Sequence, residues 1–249
     1  MSWALVTGGS RRLGREFSLH LASLGWDVHL HFHNSEEDAL VTAGEIKALR
    51  REVRIHQADL AHPKGVEELL SKIFGPLGNS QPPFTFPTLV INCASSWEQS
   101  TWDTLETEDA YREFQITSLA PFIIARECAR RSPQGLVINL LDARMEDYDK
   151  FHLAYHLAKR SLATLTRILA LETAPGWRVN ALAPGLILKP DTMSQEDWNN
   201  LEKTNPLNRM GDPKDLLRTL DYYLDSPFVT GQVIFVDGGR FLKGGFYGF

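Results

Sequence analysis

The fold assignment rests on the stretch TGGSRRLG, Thr7–Gly14, which follows an apolar run and opens an amphipathic segment. In this stretch Gly8 and Gly14 bracket a predicted turn between a strand and a helix. Such a turn presents backbone N–H groups and the positive end of the helix to a pyrophosphate. The same residues would also suit a strand-to-helix turn that binds no ligand, so the surrounding sequence has to decide.

Outside this turn, short apolar runs alternate with longer amphipathic segments, which is the pattern of βαβ units. We predict strands over Ala4–Thr7, Asp27–Phe32, Glu52–Gln57, Thr88–Asn92, Gly135–Leu140, Trp177–Ala181 and Gln232–Val236. We predict helices over Leu13–Leu24, Glu36–Leu49, Lys64–Phe74, Leu105–Arg131, His152–Thr173 and Pro213–Leu224. The expected fold class is α/β, with one domain over residues 1–249 and a doubly wound, seven-stranded parallel sheet of the Rossmann type.

Two connecting segments and one helix end also carry predictions. Gly75–Pro87 is rich in Gly and Pro, so we expect a surface loop there. Lys189–Pro206 is polar and follows a strand end. Because open parallel sheets bind ligands beyond the carboxyl ends of their strands, we expect this segment to be a lid. Gly25 suits the left-handed position just after the first helix.

Composition limits the classes of partner. The chain has 249 residues, a net charge of −5 and no Lys/Arg block, which argues against nucleic acid or an anionic membrane as the main partner. Cys93 and Cys128 show neither metal-ligand spacing nor a disulfide framework. We find no signal peptide at the N-terminus and no apolar run of the ~18 residues that a membrane span needs. We therefore expect a cytoplasmic protein that acts on a small molecule and holds no metal.

The end of the second predicted strand indicates which nicotinamide cofactor binds. NAD-binding units usually carry an acid there to hold the ribose 2′-hydroxyl. Here the strand end has His33, Asn34 and Ser35, and the first acid is Glu36. Neutral donors, helped by Arg11, would accept a 2′-phosphate, so the sequence favours NADPH. The alternative is that His33 and Ser35 only cap the next helix.

Tyr155 and Lys159, in YHLAK, are the candidates for proton transfer. Positions i and i+4 of a helix share one face. A free phenol has a pKa near ~10, and a neighbouring cation lowers it. The pair could then deliver a proton to a substrate atom as hydride arrives. Alone, the pair could equally be a chance pair on a helix surface.

Together these motifs resemble the short-chain dehydrogenase/reductase family, with its TGxxxGxG loop and Tyr-x-x-x-Lys pair. The resemblance covers nearly the whole chain. Asp59–Leu60 resembles the family's adenine-binding Asp, and Asn92–Ser95 reads NCAS where the family has NNAG. Ala181–Leu188 resembles the family's PG segment, and Phe228–Gly239 resembles its last strand. It implies an NADPH-dependent oxidoreductase and a homotetramer. Two predicted helices also carry apolar residues on more than one side, at Phe122, Ile123, Ile124, Leu162, Leu165 and Ile168.

The resemblance implies the following cofactor-binding residues: Gly8, Ser10, Arg11, Arg12, Leu13, His33, Asn34, Ser35, Asp59, Leu60, Asn92, Ala94, Ser95, Thr117, Tyr155, Lys159, Pro184, Gly185 and Leu186. It implies Asp142, Tyr155 and Lys159 as the catalytic group. Pro184 and Gly185 would shape a turn, and Leu186 and Ile187 would face the nicotinamide carboxamide.

Three positions depart from the family pattern. Arg12 replaces the middle glycine, and its guanidinium could reach a phosphate or an anionic substrate edge. Asp142 stands thirteen positions before Tyr155, where the family has serine. Both changes are similar to the pteridine reductase branch. Asp142 could donate a proton or accept a bond from the phenol. Thr117 replaces an asparagine whose backbone carbonyl holds a water linked to the lysine, and its own carbonyl could serve the same way.

Trp97 suggests the substrate, because NCASSW resembles the NNASSF of that branch. A pterin could lie flat between the indole and the nicotinamide, with Arg12, Ser95, Trp97, Asp142 and Tyr155 as the substrate-binding residues. The alternative for Trp97 is a hydrophobic plug at a loop base. A carbonyl reductase acting on a 3-oxoacyl thioester or a sugar would prefer serine to Asp142 and a complete glycine loop. A non-catalytic NADPH-binding regulator shares the fold, but intact Tyr155 and Lys159 argue against it.

Overall fold

Seven parallel strands form one sheet in the computed structural model, which describes residues 2–75, 85–146, 150–191 and 193–243. The strands are β1 Trp3–Thr7, β2 Asp27–Phe32, β3 Val53–Gln57, β4 Pro87–Asn92, β5 Gly135–Leu140, β6 Trp177–Pro184 and β7 Val233–Val236. Their order across the sheet is β3-β2-β1-β4-β5-β6-β7. This confirms the predicted α/β class and the seven-stranded parallel sheet.

Helices cover both faces of the sheet. They are α1 Arg12–Ser23, α2 Glu36–Ala48, α3 Pro63–Phe74, α4 Thr107–Phe114, α5 Ala120–Arg131, α6 Leu153–Glu172, α7 Gln195–Leu201 and α8 Pro213–Asp225. On one face Phe17 of α1, Ile46 of α2 and Tyr223 of α8 join a single core. On the other, Leu69 of α3 and Ile124 of α5 join a second core. Strands buried on both faces explain the continuous apolar runs of the sequence.

The order of the strands creates the site. From β1 the chain moves outward to β3, and from β4 it moves outward in the other direction to β7. Thr7 at the end of β1 pairs with Asn92 of β4, which pairs with Asn139 of β5. A ligand crevice opens at such a reversal, beyond the carboxyl ends of the strands.

The helical stretch predicted over Leu105–Arg131 is helical from Thr107 to Arg131, but it contains a π-helical turn, Gln115–Leu119, between α4 and α5 that the sequence analysis missed. Pro121 has no N–H to give the carbonyl of Thr117, four residues earlier, so a regular α-helix cannot continue there. Single π-turns of this kind often occur at functional sites. Pro121 in the sequence was the signal that could have predicted this irregular turn.

The predicted lid, Lys189–Pro206, contains a helix that the sequence analysis missed. The Ser194 side chain caps α7 by accepting from Asp197 N at 3.0 Å, and Trp198 is buried. The motif SQED was the available signal for this cap. Gly25 has a φ of 94°, as predicted. The loop predicted at Gly75–Pro87 falls largely on residues 76–84, which lie outside the described ranges. Among the residues that the structure describes, no helix is both long and apolar enough to cross a membrane.

Candidate active site

The turn between β1 and α1 closes so tightly that two of its glycines have no substitute. Gly8 has a φ of 62°, in the left-handed region. A Cβ on Gly8 would stand 3.1 Å from the Cα of Ala94, and one on Gly14 only 1.9 Å from the Gly8 carbonyl oxygen. The predicted bracketing of this turn by Gly8 and Gly14 is confirmed.

The N-terminus of α1 suits an anion. Arg11, the N-cap residue, is extended and provides no side-chain cap, and the first turn of this described helix carries no acid. Its leading backbone N–H groups and the helix dipole therefore favour negative charge at this end. A pyrophosphate fits this donor set.

His31, on β2, fixes the turn from behind and was missed by the sequence analysis. Gly8 N donates to His31 Nδ1 at 3.1 Å, so the ring hydrogen lies on Nε2, which donates to the Ala58 carbonyl at 3.1 Å. Burial lowers the pKa of His31 to about 4, which keeps Nδ1 free to accept. A polar residue inside a fully buried strand was the available signal.

Neutral side chains stand at the end of β2. Ser35 occupies the N-cap position of α2, but its hydroxyl bonds Ser10 Oγ at 2.6 Å and caps nothing. The capping alternative is therefore wrong for the Ser35 side chain. His33 is half exposed, with Nε2 3.8 Å from Asp59 Oδ2. The first carboxylate along the chain, Glu36, lies in the first turn of α2.

Arg12 joins the turn to the segment predicted as a lid. Its guanidinium donates to the carbonyls of Leu188 at 3.3 Å and Lys189 at 3.2 Å and lies 3.5 Å from an Asp191 oxygen. Its φ of 50° is unusual for a residue with a side chain. The expectation that Arg12 contacts a phosphate or a substrate stays a prediction.

The chain leaving β4 is tied to β1. Cys93 N and Ala94 N both donate to Thr7 Oγ1, at 3.0 and 3.1 Å. Asn92 Nδ2 donates to Asn139 Oδ1 at 2.8 Å. Burial raises the pKa of the Cys93 thiol to about 11, so this cysteine is not a nucleophile at neutral pH. These bonds place Ser95 and the residues after it over the crevice.

Tyr155, Lys159 and Asp142 meet at the end of β5. The Tyr155 hydroxyl donates to Asp142 Oδ2 at 2.9 Å, which decides that Asp142 acts as an acceptor here. Lys159 Nζ donates to the Leu140 carbonyl at 2.7 Å and lies 5.4 Å from the centre of the Tyr155 ring.

The expected lowering of the Tyr155 pKa is wrong for this structure. Burial and then the Asp142 charge raise the pKa of Tyr155 well above its usual value. Burial also lowers the pKa of Lys159. Burial is the largest cause of both shifts, because the charged form of each group is poorly solvated there.

Trp97 stands beside this group. Its ring stacks on His152 with centroids 3.8 Å apart and meets Tyr155 edge-on at 4.5 Å. The indole is 45% exposed, so the interpretation as a hydrophobic plug is wrong. His152, which covers one face of the indole, was missed by the sequence analysis.

Behind the loop of Trp97 lies a hydroxyl cluster around Glu113, which the sequence analysis also missed. Thr117 Oγ1 donates to Glu113 Oε1 at 2.6 Å, and Ser96 Oγ donates to Glu113 Oε2. Ser95 Oγ lies 3.3 Å from Thr117 Oγ1. The predicted residues Ser95 and Thr117 are thus brought together through this carboxylate.

Three of the remaining predicted residues are held by the sheet or by the two cores. Pro184 is the last residue of β6 and pairs with Val236, so it belongs to the strand and not to a turn. Ile187 is buried in the first core and also lines a cavity with Leu186, and Leu60 is buried in the second core. The roles predicted for Ile187 and Leu60 at the cofactor therefore stay predictions.

The other predicted residues have the following contacts and burial, and their roles at a cofactor stay predictions. Gly185 approaches Asp237 so closely that a Cβ would stand 2.7 Å from its Cα. Leu186 and Leu13 are half-buried, and Asp59 Oδ1 accepts from Ala61 N at 3.0 Å.

A protein-family model described as enoyl-(acyl carrier protein) reductase matches residues 9–240. An uncharacterized oxidoreductase of Mycobacterium tuberculosis is 34% identical over 95% of this chain and 90% of its own length. The 3-oxoacyl-[acyl-carrier-protein] reductase FabG of Staphylococcus epidermidis is 28% identical, over 96% of this chain and 98% of its own.

A solved structure shows the same architecture. The crystal structure of FolM alternative dihydrofolate reductase 1 from Brucella canis, complexed with NADP, superposes with a TM-score of 0.88 at 30% identity. The match covers 97% of this chain and 94% of that one.

Proposed function

Because the chain belongs to the short-chain dehydrogenase/reductase family, we propose that it is an NADPH-dependent reductase that converts a dihydropterin to a tetrahydropterin. The observation that carries the pterin assignment is the half-exposed Trp97 ring standing edge-on to Tyr155. A planar heterocycle laid on the face of the indole opposite His152 would come within reach of the phenol.

The residues present fit NADP(H), the cofactor bound to the Brucella relative. The turn at Gly8 and the N-terminus of α1 would hold the pyrophosphate, and His33, Ser35 and Arg11 would take the 2′-phosphate. When bound, NADPH supplies the hydride. The three residues that follow β2, His33, Asn34 and Ser35, carry no carboxylate that would repel a 2′-phosphate.

The chain's own residues supply and direct the proton. The raised pKa of Tyr155 keeps its hydroxyl protonated. For the proton to reach a ring nitrogen, the hydroxyl hydrogen has to turn from Asp142 Oδ2 to the substrate. Asp142 holds that hydroxyl in place from one side. The ammonium of Lys159, held by the Leu140 carbonyl, lies near the phenol ring to stabilise the negative charge that develops as the proton leaves.

A carbonyl reductase acting on a 3-oxoacyl thioester is the second candidate, favoured by the full-length similarity to FabG. The deciding experiment follows NADPH oxidation with a dihydropterin, dihydrofolate, biopterin and acetoacetyl thioester. Turnover of the dihydropterin supports the proposal. Turnover of the thioester with no turnover of any pterin refutes it and leaves the family assignment intact.

Cofactor preference provides a separate prediction. NADPH should bind at least about tenfold more tightly than NADH, a difference of about 1.4 kcal/mol, because neutral donors replace the usual acid at the end of β2. Fluorescence titration of both cofactors measures this difference. Equal dissociation constants would contradict the assignment of His33 and Ser35 to the 2′-phosphate.

Replacing Trp97 tests the stacking surface. Trp97→Ala should raise KM for a dihydropterin about three- to tenfold, since stacking contributes about 0.5–1.5 kcal/mol beyond burial. The affinity for NADPH should hardly change. Trp102→Ala is the matched control, because Trp102 is also an indole on this stretch and is strongly exposed. Equal effects of both substitutions on KM would argue against a pterin on Trp97.

We also propose that the protein is a homotetramer. Leu157, Ile168 and Leu171 are exposed on one side of α6, since spacings of 11 and 14 residues return to nearly the same helix face. Ile124 and Leu162, which the sequence suggested for this surface, lie in the core instead. Light scattering should give about four times the chain mass of 28.1 kDa. A mass of one chain would rule the assembly out.

A further inference from the structure

A buried carboxylate lies behind the serines that precede Trp97. Glu113, near the end of α4, is 6% exposed. Its two oxygens accept from the hydroxyls of Thr117 and Ser96. Burying a charge is unfavourable unless hydrogen bonds replace its hydration, and both bonds here go to a carboxylate, where they are strong. The arrangement is thus a built site for two hydroxyl donors.

The direction of these hydrogen bonds decides what Ser95 can offer. A hydroxyl has one hydrogen, and an ionised carboxylate only accepts. The Thr117 hydrogen is on Glu113, so Thr117 Oγ1 can only accept from Ser95, 3.3 Å away. The alternative acceptor for Ser95 is the Ser96 carbonyl at 3.2 Å. In both cases the Ser95 hydrogen stays within the protein, and the exposed Ser95 oxygen is left to a ligand as an acceptor.

We propose that Glu113 is a positioning residue that fixes the hydroxyls of Thr117, Ser96 and Ser95, so that the site selects substrates presenting an N–H donor. This inference rests on the proposed function. A pterin edge carries N–H donors, whereas the reacting end of a 3-oxoacyl thioester presents only carbonyl oxygens.

Glu113 also connects the substrate loop to the catalytic group. Its bond to Ser96 ties the residue before Trp97 to α4. After burial and Asp142, the charge of Glu113 contributes to raising the pKa of Tyr155. Removing that charge should therefore lower the pKa of Tyr155 and move the alkaline limb of kcat/KM to lower pH. If Glu113 only supported the fold, its substitution would leave the alkaline limb of the pH profile of kcat/KM at the same pH.

The test is Glu113→Gln, which keeps the shape of the side chain but adds an N–H₂ group that must donate. The hydroxyl of Thr117 or of Ser96 then has to accept from the new N–H₂ group instead of donating. Ser95 is then no longer held as an acceptor for the substrate. We expect KM for a dihydropterin to rise about three- to tenfold, as for the loss of one neutral hydrogen bond between a substrate N–H and Ser95 Oγ, with kcat within about threefold. Glu127→Gln is the matched control, because Glu127 loses the same charge on α5 and pairs there with Arg130.

The outcomes separate the two proposals. If the wild type reduces the dihydropterin and Glu113→Gln leaves KM and the alkaline limb unchanged, the role of Glu113 is overturned and the proposed function stands. If the wild type reduces acetoacetyl thioester and no pterin, the proposed function is overturned, and the donor selection with it. Should Glu113→Gln not fold, Thr117→Val and Ser96→Ala each remove one hydroxyl of the cluster. A rise in KM in both supports the proposal, and a rise in neither overturns it.

Discussion

Tyr155→Phe should lose about 10²-fold or more of kcat while retaining its affinity for NADPH. The substitution removes one oxygen from a ring that is otherwise fully packed, between Trp97 and the end of β5. It removes the hydroxyl that would supply the proton, while Lys159 Nζ keeps its bond to the Leu140 carbonyl at 2.7 Å. Steady-state kinetics with saturating NADPH and a cofactor titration on the same preparation measure the two quantities. A near-normal kcat would show that Tyr155 is not the acid.

Asp142→Asn provides the companion measurement. The Asp142 charge and its hydrogen bond both raise the pKa of Tyr155, so removing the charge lowers that pKa. The alkaline limb of kcat/KM reports the free enzyme's acid. The alkaline limb should therefore move to lower pH in Asp142→Asn. In Tyr155→Phe, the residual activity should no longer show a limb that reports the ionisation of Tyr155. An alkaline limb at the same pH in wild type and Asp142→Asn would show that another group controls it.

Gly14→Ala should weaken NADPH binding by about 10²-fold, equivalent to about 3 kcal/mol of overpacking at one site. The added Cβ would stand 1.9 Å from the Gly8 carbonyl oxygen, so the turn has to open. Opening it moves the backbone N–H groups that would meet the pyrophosphate. Fluorescence titration with NADPH checks the loss, and circular dichroism checks that the fold persists.

Gly44→Ala is the matched control on the neighbouring helix α2. A Cβ there meets nothing within 4 Å, and alanine favours a helix over glycine by about 1 kcal/mol. This variant should bind NADPH like the wild type and melt at the same or a higher temperature. A similar loss of NADPH affinity in both variants would mean that the clash between the new Cβ at position 14 and the Gly8 carbonyl does not cause the loss.

Much of the fold followed from the sequence because its signals are local. Alternating apolar runs predicted all seven strands, since a buried parallel strand has to be apolar on both faces. Turn glycines such as Gly8 and Gly14 follow from backbone geometry alone. The spacing of Tyr155 and Lys159 likewise follows from one helix, and the structure places both with Asp142 at the end of β5.

The π-helical turn and α7 were missed although Pro121 and SQED are local signals, whereas the other failures arose where the deciding contact joined residues far apart in the chain. The role of His31 was missed because its partners, Gly8 and Ala58, are more than twenty residues away from it in the chain. The direction of the Tyr155 pKa shift depended on burial, which no motif states.

The sequence by itself determined the α/β class, the phosphate turn and the Tyr–Lys pair, because each is written in short-range spacing. Only the tertiary structure decided which hydroxyls Glu113 holds, that His31 supports the turn, and that Asp142 accepts from the phenol. These roles depend on distances between strand ends and helices, which are set when the two cores pack. A hydrogen-bond direction has no local signature, because it is fixed by whichever partner the fold brings within reach.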